Sequence, residues 1–285
     1  MTQQTIERPP MQIADMTSAT LTALLGLVHS TTGIAMTDRK SVLLQGRLRP
    51  RLRTLGLSSY EAYLDLLAHD QAEVQVFVNM VTTNDTAFFR TPHVWTFFSE
   101  TFLPAWRARH PNKTLKLWSA AAASGEEAYS MAMLCQEFQR SAPRFQYQIL
   151  ATDISTAVLA AAQSGLYAGR SIERLREFHP VLFAEYFTVE GDGARVADSL
   201  KKQVRFTDHN LLAPLKPAEK FDLVFLRNVL IYFEADNQKK VVDLLRPNMY
   251  DEANLVLGES ESLGRIHTCF VPEMPLVYRI AGDSA

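Results

Sequence analysis

The sequence predicts an α/β chain: an N-terminal all-helical domain, then a doubly wound, mostly parallel sheet carrying a small inserted antiparallel β-subdomain. Three observations lead there. Up to about Val81 apolar residues recur at helical spacing. Beyond Pro92, short β-rich runs alternate with helical stretches, the pattern of βαβ units. Within that second region, residues 172–203 are too long for an ordinary connection and carry their own turn signal.

In chain order, the polar residues 1–14 are expected to be disordered, and residues 15–90 form the helical domain. Leu21, Leu24, Leu25 and Val28 make one apolar stripe at i, i+3, i+4, i+7. A basic run follows, with Arg39, Lys40, Arg47, Arg49, Arg51 and Arg53 against a single acid between Asp38 and Leu57. As a helix it puts Leu44, Leu48, Leu52 and Leu55 on one face, and Lys40, Arg47 and Arg51 on another. Such a stripe is ordinarily a solvated surface; the sharper reading is an electrostatic dock for an acidic partner. Pro50 is expected to kink or end this helix. Ser58 and Glu61 have capping-box spacing ahead of Tyr60, Tyr63, Leu64 and Leu67. A last stripe, Val74, Phe77, Val78 and Val81, completes about four helices.

Thr91-Pro92 breaks the pattern near residues 89–93, and residues 91–285 form the second domain. Its strand candidates are residues 115–119, 147–152, 204–207, 221–226, 254–257 and 276–280, with helices starting at Glu126 and Ser155. In the long insert, Glu190-Gly191-Asp192-Gly193 signals a turn, so a helix followed by a β-hairpin is expected there.

Composition narrows the function. The 285 residues are 47% apolar and 21% charged with a net charge of −2, ordinary for a globular protein and without bias toward nucleic acid or an anionic membrane. No apolar run reaches the roughly 18 residues of a membrane span. The first residues lack the apolar core of a signal peptide, and two distant cysteines, Cys135 and Cys269, fit a reducing compartment. A cytoplasmic monomer is expected. The seven histidines form no metal motif, and no nucleophile-base arrangement can be argued from spacing.

Open α/β sheets bind ligands at the carboxyl ends of their strands, and polar residues gather there. After the first strand, Ser119-Ala-Ala-Ala-Ala-Ser124-Gly125-Glu126-Glu127 combines small side chains with two acids at a helix start. It holds one glycine, not a dinucleotide fingerprint, and its carboxylates suit a cationic or neutral ligand better than a pyrophosphate. A plain strand-helix turn is the alternative. Asp153, ending the second strand, can accept from two ribose hydroxyls or cap a helix. Asp208, His209, Asn210 and Leu211 could bracket an adenine or form an ordinary loop. Arg227 and Asn228 follow an apolar strand and need partners, either a ligand or structural hydrogen bonds. Thr82 to Arg90 suits an interdomain cleft, or is a linker with a hydrophobic anchor.

Five of these segments, in this order, resemble the chemotaxis receptor methyltransferase family, the CheR type. They are Thr83-Asn84-Asp85-Thr86-Ala87-Phe88-Phe89-Arg90, the run from Trp118 through Glu127 to Ser130, Ala151-Thr152-Asp153, Asn210-Leu211-Leu212, and Arg227-Asn228 through Tyr232-Phe233. The resemblance implies a Rossmann-like methyltransferase domain with an inserted β-subdomain, and S-adenosylmethionine as cofactor, leaving S-adenosylhomocysteine. By matching positions it implies a cofactor site of Asn84, Thr86, Arg90, Glu127, Asp153, Asn210, Leu211, Arg227 and Asn228, with Arg90 and Tyr232 as catalytic neighbours. The basic run matches the family's arginine-rich helix, making Lys40, Arg47, Arg51 and Arg53 the dock for the receptor's cytoplasmic methylation region. Pro50 stands where related sequences often carry a base, and residues 248–254 lack the paired glycines usual before the fifth strand.

The implied chemistry is methyl transfer to glutamate side chains. A glutamate with a pKa near 4.3 is already a carboxylate at neutral pH, so orientation and desolvation suffice and no general base is required. Some family members also bind a receptor tail peptide on the β-subdomain, and carry a longer hairpin loop. The compact residues 188–195 here imply no dependence on such a tail. Two other readings are a methyltransferase for a small acid or amine, and a non-catalytic module that retains the fold.

Overall fold

The computed structural model describes residues 13–37 and 40–281. Most of the expected disordered start, and Arg39 of the basic run, lie outside the described residues. The chain forms two compact units that divide after Thr82, upstream of the break at Thr91-Pro92.

The described residues of the first unit form four helices: α1 (Ser18–Thr32), α2 (Ser41–Leu55), α3 (Tyr60–His69) and α4 (Gln71–Val81). Their stripes meet in a core of Leu24, Val28, Leu44, Leu48, Leu52, Tyr60, Tyr63, Leu67, Phe77 and Val81. Pro50 lies inside α2, which nevertheless continues to Leu55; its ring faces the carbonyl one turn earlier, at Gly46. The expected capping box is displaced. Ser59, not Ser58, caps α3 by accepting from the Ala62 N–H. Glu61 turns instead to α1, accepting from the Thr17 and Thr20 hydroxyls, bonds that hold its carboxyl below the usual range, Thr20 foremost.

The second unit opens with α5 (Pro92–Thr96) and α6 (Leu103–Arg109), joined by a π-helical turn over Phe97–Phe102. Then follow β1 (Thr114–Ala120), α7 (Glu126–Ser141), β2 (Gln146–Asp153) and α8 (Thr156–Ser164). The insert comprises β3 (Leu166–Ala168), α9 (Arg170–Phe178), α10 (Pro180–Tyr186), β4 (Phe187–Glu190), β5 (Gly193–Val196) and α11 (Asp198–Lys201). The chain continues through β6 (Val204–Asp208), β7 (Phe221–Leu226), α12 (Ala235–Leu245), β8 (Met249–Leu257), β9 (Phe270–Met274) and β10 (Val277–Ile280).

Among the described residues, seven strands form the main sheet in the order β6-β2-β1-β7-β8-β10-β9. Those from β6 to β8 are parallel, and β10 is antiparallel to both its neighbours. Inner strands such as β7 are apolar and buried on both faces, as helices covering both sides require. The order doubles back between β1 and β7, so a crevice opens there at the carboxyl ends of the strands.

The insert holds a three-stranded antiparallel sheet, β3-β5-β4, rather than a hairpin alone. The expected β4–β5 hairpin is present, with Gly191 at the first of two turn positions and φ +58°. The third strand, β3, precedes the expected start of the insert. Its three residues are too few to carry an alternation signal.

Candidate cofactor and methyl-transfer site

The turn from β1 into α7 places Ala121, Ala123 and Gly125 at positive φ, the alanines at +70° and +48°. Only small side chains tolerate such a run cheaply. At Gly125, with φ +93°, an added Cβ would lie 2.8 Å from the Ala162 Cβ and 3.1 Å from the Tyr167 hydroxyl. The turn can therefore close against α8 only with glycine there.

Asp153, buried at the end of β2, fastens this turn. Its Oδ2 accepts from the Ala123 N–H at 2.9 Å, and its Oδ1 from the Ser155 N–H at 2.9 Å. Burial raises its carboxyl above the usual range, and the backbone donors partly offset that. Its own carbonyl accepts from the His209 N–H at 2.9 Å, which brings the loop after β6 alongside. There Asn210 Oδ1 accepts from the Leu212 N–H at 3.0 Å, and Leu211 is buried.

Glu127, in the first turn of α7, joins β1 to β7. It accepts from the Ser119 hydroxyl at 2.7 Å and from Arg227 Nη1 at 3.0 Å. The Arg227 side chain is 2% exposed and that of Glu127 12%. Burial raises the Glu127 carboxyl, and the Arg227 charge opposes the rise. Arg227 Nη2 donates to the Arg90 carbonyl at 2.9 Å, while its Nε is buried with no partner. One relay thus runs Ser119–Glu127–Arg227–Arg90 across the crevice.

Residues 83–90 belong to the second unit, and their anchor is aromatic. Phe88 packs edge-on against Tyr167 and Phe187, and Phe89 lies over His179 with ring centroids 4.1 Å apart. Phe89 and Thr91 both hold positive φ, +52° and +67°. Arg90 is therefore carried on a strained bend. Its guanidinium donates to the Asp85 carbonyl at 3.0 Å and lies 3.6 Å from the Asp85 carboxylate, with 37% of the side chain exposed. Asn84 and Thr86, half-buried, lead into the bend.

Asn228 follows Arg227 with φ +58°. Tyr232 ends a short 3-10 turn, Leu230–Tyr232, and is half-buried. A residue missed in the sequence stands behind both. Glu261, buried after β8, accepts from the N–H groups of Asn228, Val229, Leu230 and Gly258. The signal was an acid just past a strand end, the same logic that singled out Asp153.

The structure therefore brings Arg90, Glu127, Asp153, the Asn210-Leu211 loop, Arg227 and Asn228 to the strand ends of one sheet. The basic residues of the first unit divide. Lys40 and Arg53 are exposed. Arg47 donates to the carbonyls of Val81 and Thr82 at 2.6 and 3.1 Å, closing the end of α4. Arg51 makes a two-pronged pair with buried Glu73, Nε to Oε1 at 2.9 Å and Nη2 to Oε2 at 2.5 Å. The shared face of Arg47 and Arg51 thus meets α4, which spacing alone could not reveal.

Among the described residues no group of acids, histidines and cysteines could hold a metal ion, and no helix is long and apolar enough to cross a membrane.

The CheR methyltransferase all-alpha domain model matches residues 19–82, and the CheR methyltransferase SAM binding domain model matches residues 84–274. The chain is 35% identical over 265 residues to the chemotaxis protein methyltransferase of Escherichia coli K12, covering 90% of this chain and 89% of that protein. It is 36% identical over 241 residues to chemotaxis protein methyltransferase 2 of Pseudomonas aeruginosa PAO1, covering 82% and 83%. On these matches and this fold, the chain belongs to the CheR family of S-adenosylmethionine-dependent methyltransferases.

Proposed function

We propose that this protein transfers a methyl group from S-adenosylmethionine to glutamate side chains of chemotaxis receptors, giving methyl esters in the cytoplasm. The observation that carries the reading is the hydrogen-bonded relay Ser119–Glu127–Arg227–Arg90, set beside Asp153 at the switch point of the sheet.

The residues fit the cofactor. Arg227 Nε is an orphaned buried donor, the alanine-rich turn lets a ligand approach the backbone, and Glu127 and Asp153 supply carboxylates suited to a sulfonium rather than a phosphate. Asp153 would accept from the ribose, since its two carboxylate oxygens offer about four lone-pair sites and its backbone donors are the N–H groups of Ser155, Ala123 and Ile154. Asn210 and Leu211 would border the adenine. Asn84, Thr86, Glu127, Arg227 and Asn228 would hold the amino-acid end. The bound cofactor supplies an electrophilic methyl group.

The chain itself then has to align and desolvate a carboxylate. Arg90 is suited to this because its pair with Asp85 is exposed, at 37% and 86% for the two side chains. Such pairs contribute at most about 1 kcal/mol, so the guanidinium can exchange that partner for a substrate carboxylate. The Tyr232 phenol offers a second donor. No base is needed, because the nucleophile is ionised already.

Receptor docking would rest on exposed Lys40 and Arg53, Arg47 and Arg51 being tied to α4. The two-residue β4–β5 turn leaves a short hairpin with little exposed strand edge, which supports methylation without a receptor tail peptide. Calorimetry with S-adenosylhomocysteine tests the core of the reading. Binding lost in Asp153→Ala supports it; no binding by the wild type would favour a non-catalytic module.

A further inference from the structure

The loop after β7 carries Arg227, Asn228 and, one 3-10 turn later, Tyr232. It is an unusual piece of backbone. Asn228 sits at φ +58°, and the next N–H groups point the same way. Three consecutive N–H groups converging like this form a concave nest that attracts an anion. Here the anion belongs to the chain. Glu261 Oε2 accepts from the Asn228 N–H at 2.8 Å, and Oε1 from the Val229 and Leu230 N–H groups, both at 2.7 Å. Oε2 also accepts from the Gly258 N–H at 2.7 Å. The side chain is 7% exposed.

Glycine 258 lets the two segments meet. An added Cβ there would lie 2.7 Å from Asn228 Nδ2, 2.8 Å from the Asn228 nitrogen and 2.8 Å from Glu261 Oε2. Carboxylate and glycine therefore fix the same backbone from two sides.

We propose that Glu261 is a positioning residue for methyl transfer, whose carboxylate clamps the 227–230 loop so that Asn228 and Tyr232 face the cofactor and the incoming carboxylate. This rests on the cofactor reading above. Glutamine has the same shape but only one oxygen acceptor, so Glu261→Gln must turn an NH2 group toward two of the four backbone donors. Gly258→Ala keeps the carboxylate's charge and all its acceptors, while the added Cβ crowds both the Asn228 backbone and the Glu261 carboxylate and displaces the loop. A merely structural role would lower the unfolding temperature and leave the folded protein's affinity alone.

The experiment is calorimetry with S-adenosylhomocysteine on the full chain, well below the unfolding temperature, with steady-state methylation in parallel. Phe145→Leu is the stability control: Phe145 is buried just before β2, at the opposite end of the sheet. Glu261→Gln and Gly258→Ala should each weaken binding by about tenfold or more, equivalent to roughly 1.4 kcal/mol, and lower kcat beyond the rise in KM for the cofactor. Phe145→Leu should destabilise and bind normally. Should Glu261→Gln fail to fold, Gly258→Ala carries the test. Wild-type affinity in the folded variants, or an equal loss in Phe145→Leu, overturns the positioning role. Absence of wild-type binding removes instead the cofactor reading on which it rests.

Discussion

Replacing Arg51 with methionine should destabilise the helical unit rather than weaken a surface dock. Arg51 holds both oxygens of Glu73, whose side chain is only 4% exposed. Without it the carboxylate keeps one side-chain donor, the Tyr63 hydroxyl at 2.7 Å. Breaking a buried pair by removing one partner costs about 3–5 kcal/mol. Arg51 is 27% exposed, so water can reach the vacated side, and the lower end, about 3 kcal/mol, applies. The Arg51 bond comes first among the influences that hold the Glu73 carboxyl below its ordinary value. That stabilisation is present above the unfolded-state pKa, near 4.3, and disappears as the pH falls through the folded value. Urea denaturation followed by circular dichroism, at pH 7 and at pH 3, measures both effects. The loss should be large at pH 7 and smaller at pH 3, and Arg51→Met/Glu73→Gln should recover much of it. A change under about 0.5 kcal/mol, in the range of ordinary surface substitutions, or a double variant no more stable than the single one, would refute the reasoning.

Four further outcomes follow from the same geometry. Asp153→Ala should weaken S-adenosylhomocysteine binding by about 1.5–3 kcal/mol. It should also cost stability, because it abandons the N–H groups of Ala123 and Ser155; unchanged affinity by calorimetry would remove Asp153 from the site. Tyr232→Phe should lower kcat with little change in cofactor affinity, and a wild-type rate would exclude the phenol. Reversing charge at Lys40 and Arg53 should slow receptor methylation at low salt and reduce its salt sensitivity, since exposed charges are screened over about 8 Å at physiological ionic strength; a salt response equal to wild type contradicts the dock. Burial raises the Glu126 carboxyl, so its contribution to stability is best below the unfolded-state pKa and declines as pH rises through the folded value. Glu126→Gln should therefore gain stability relative to wild type at pH 8 but not at pH 4, and a pH-independent difference in unfolding midpoint would contradict this.

What was legible in the sequence depended on how local its cause was. The β7 segment reads out over residues 221–226 because a strand buried on both faces is a continuous apolar run. The helical stripes of α1 and α4 are equally local. By contrast β9 is an edge strand with mostly exposed or half-exposed residues and an internal Pro272, so neither alternation nor apolar length marks it. The charged residues of α2 were visible as a face, but whether that face meets solvent or α4 depends on chain folding. Asp153 stood out because it directly ends a strand. Glu261 was passed over because it stands four residues beyond the end of β8 rather than at it, and three of its four partners are backbone N–H groups some thirty residues earlier, which have no signature of their own in a sequence.

The most direct test of the central claim is methylation with radiolabelled S-adenosylmethionine, using the cytoplasmic methylation region of a receptor from the same organism, followed by treatment with base. Esters on glutamate release volatile methanol under base, whereas methyl groups on amines do not. The account expects base-labile label on the receptor fragment, absent when its methylatable glutamates are replaced by alanine and sharply reduced with Asp153→Ala enzyme. Label that survives base, or label that appears on free small acids and never on receptor, would contradict it.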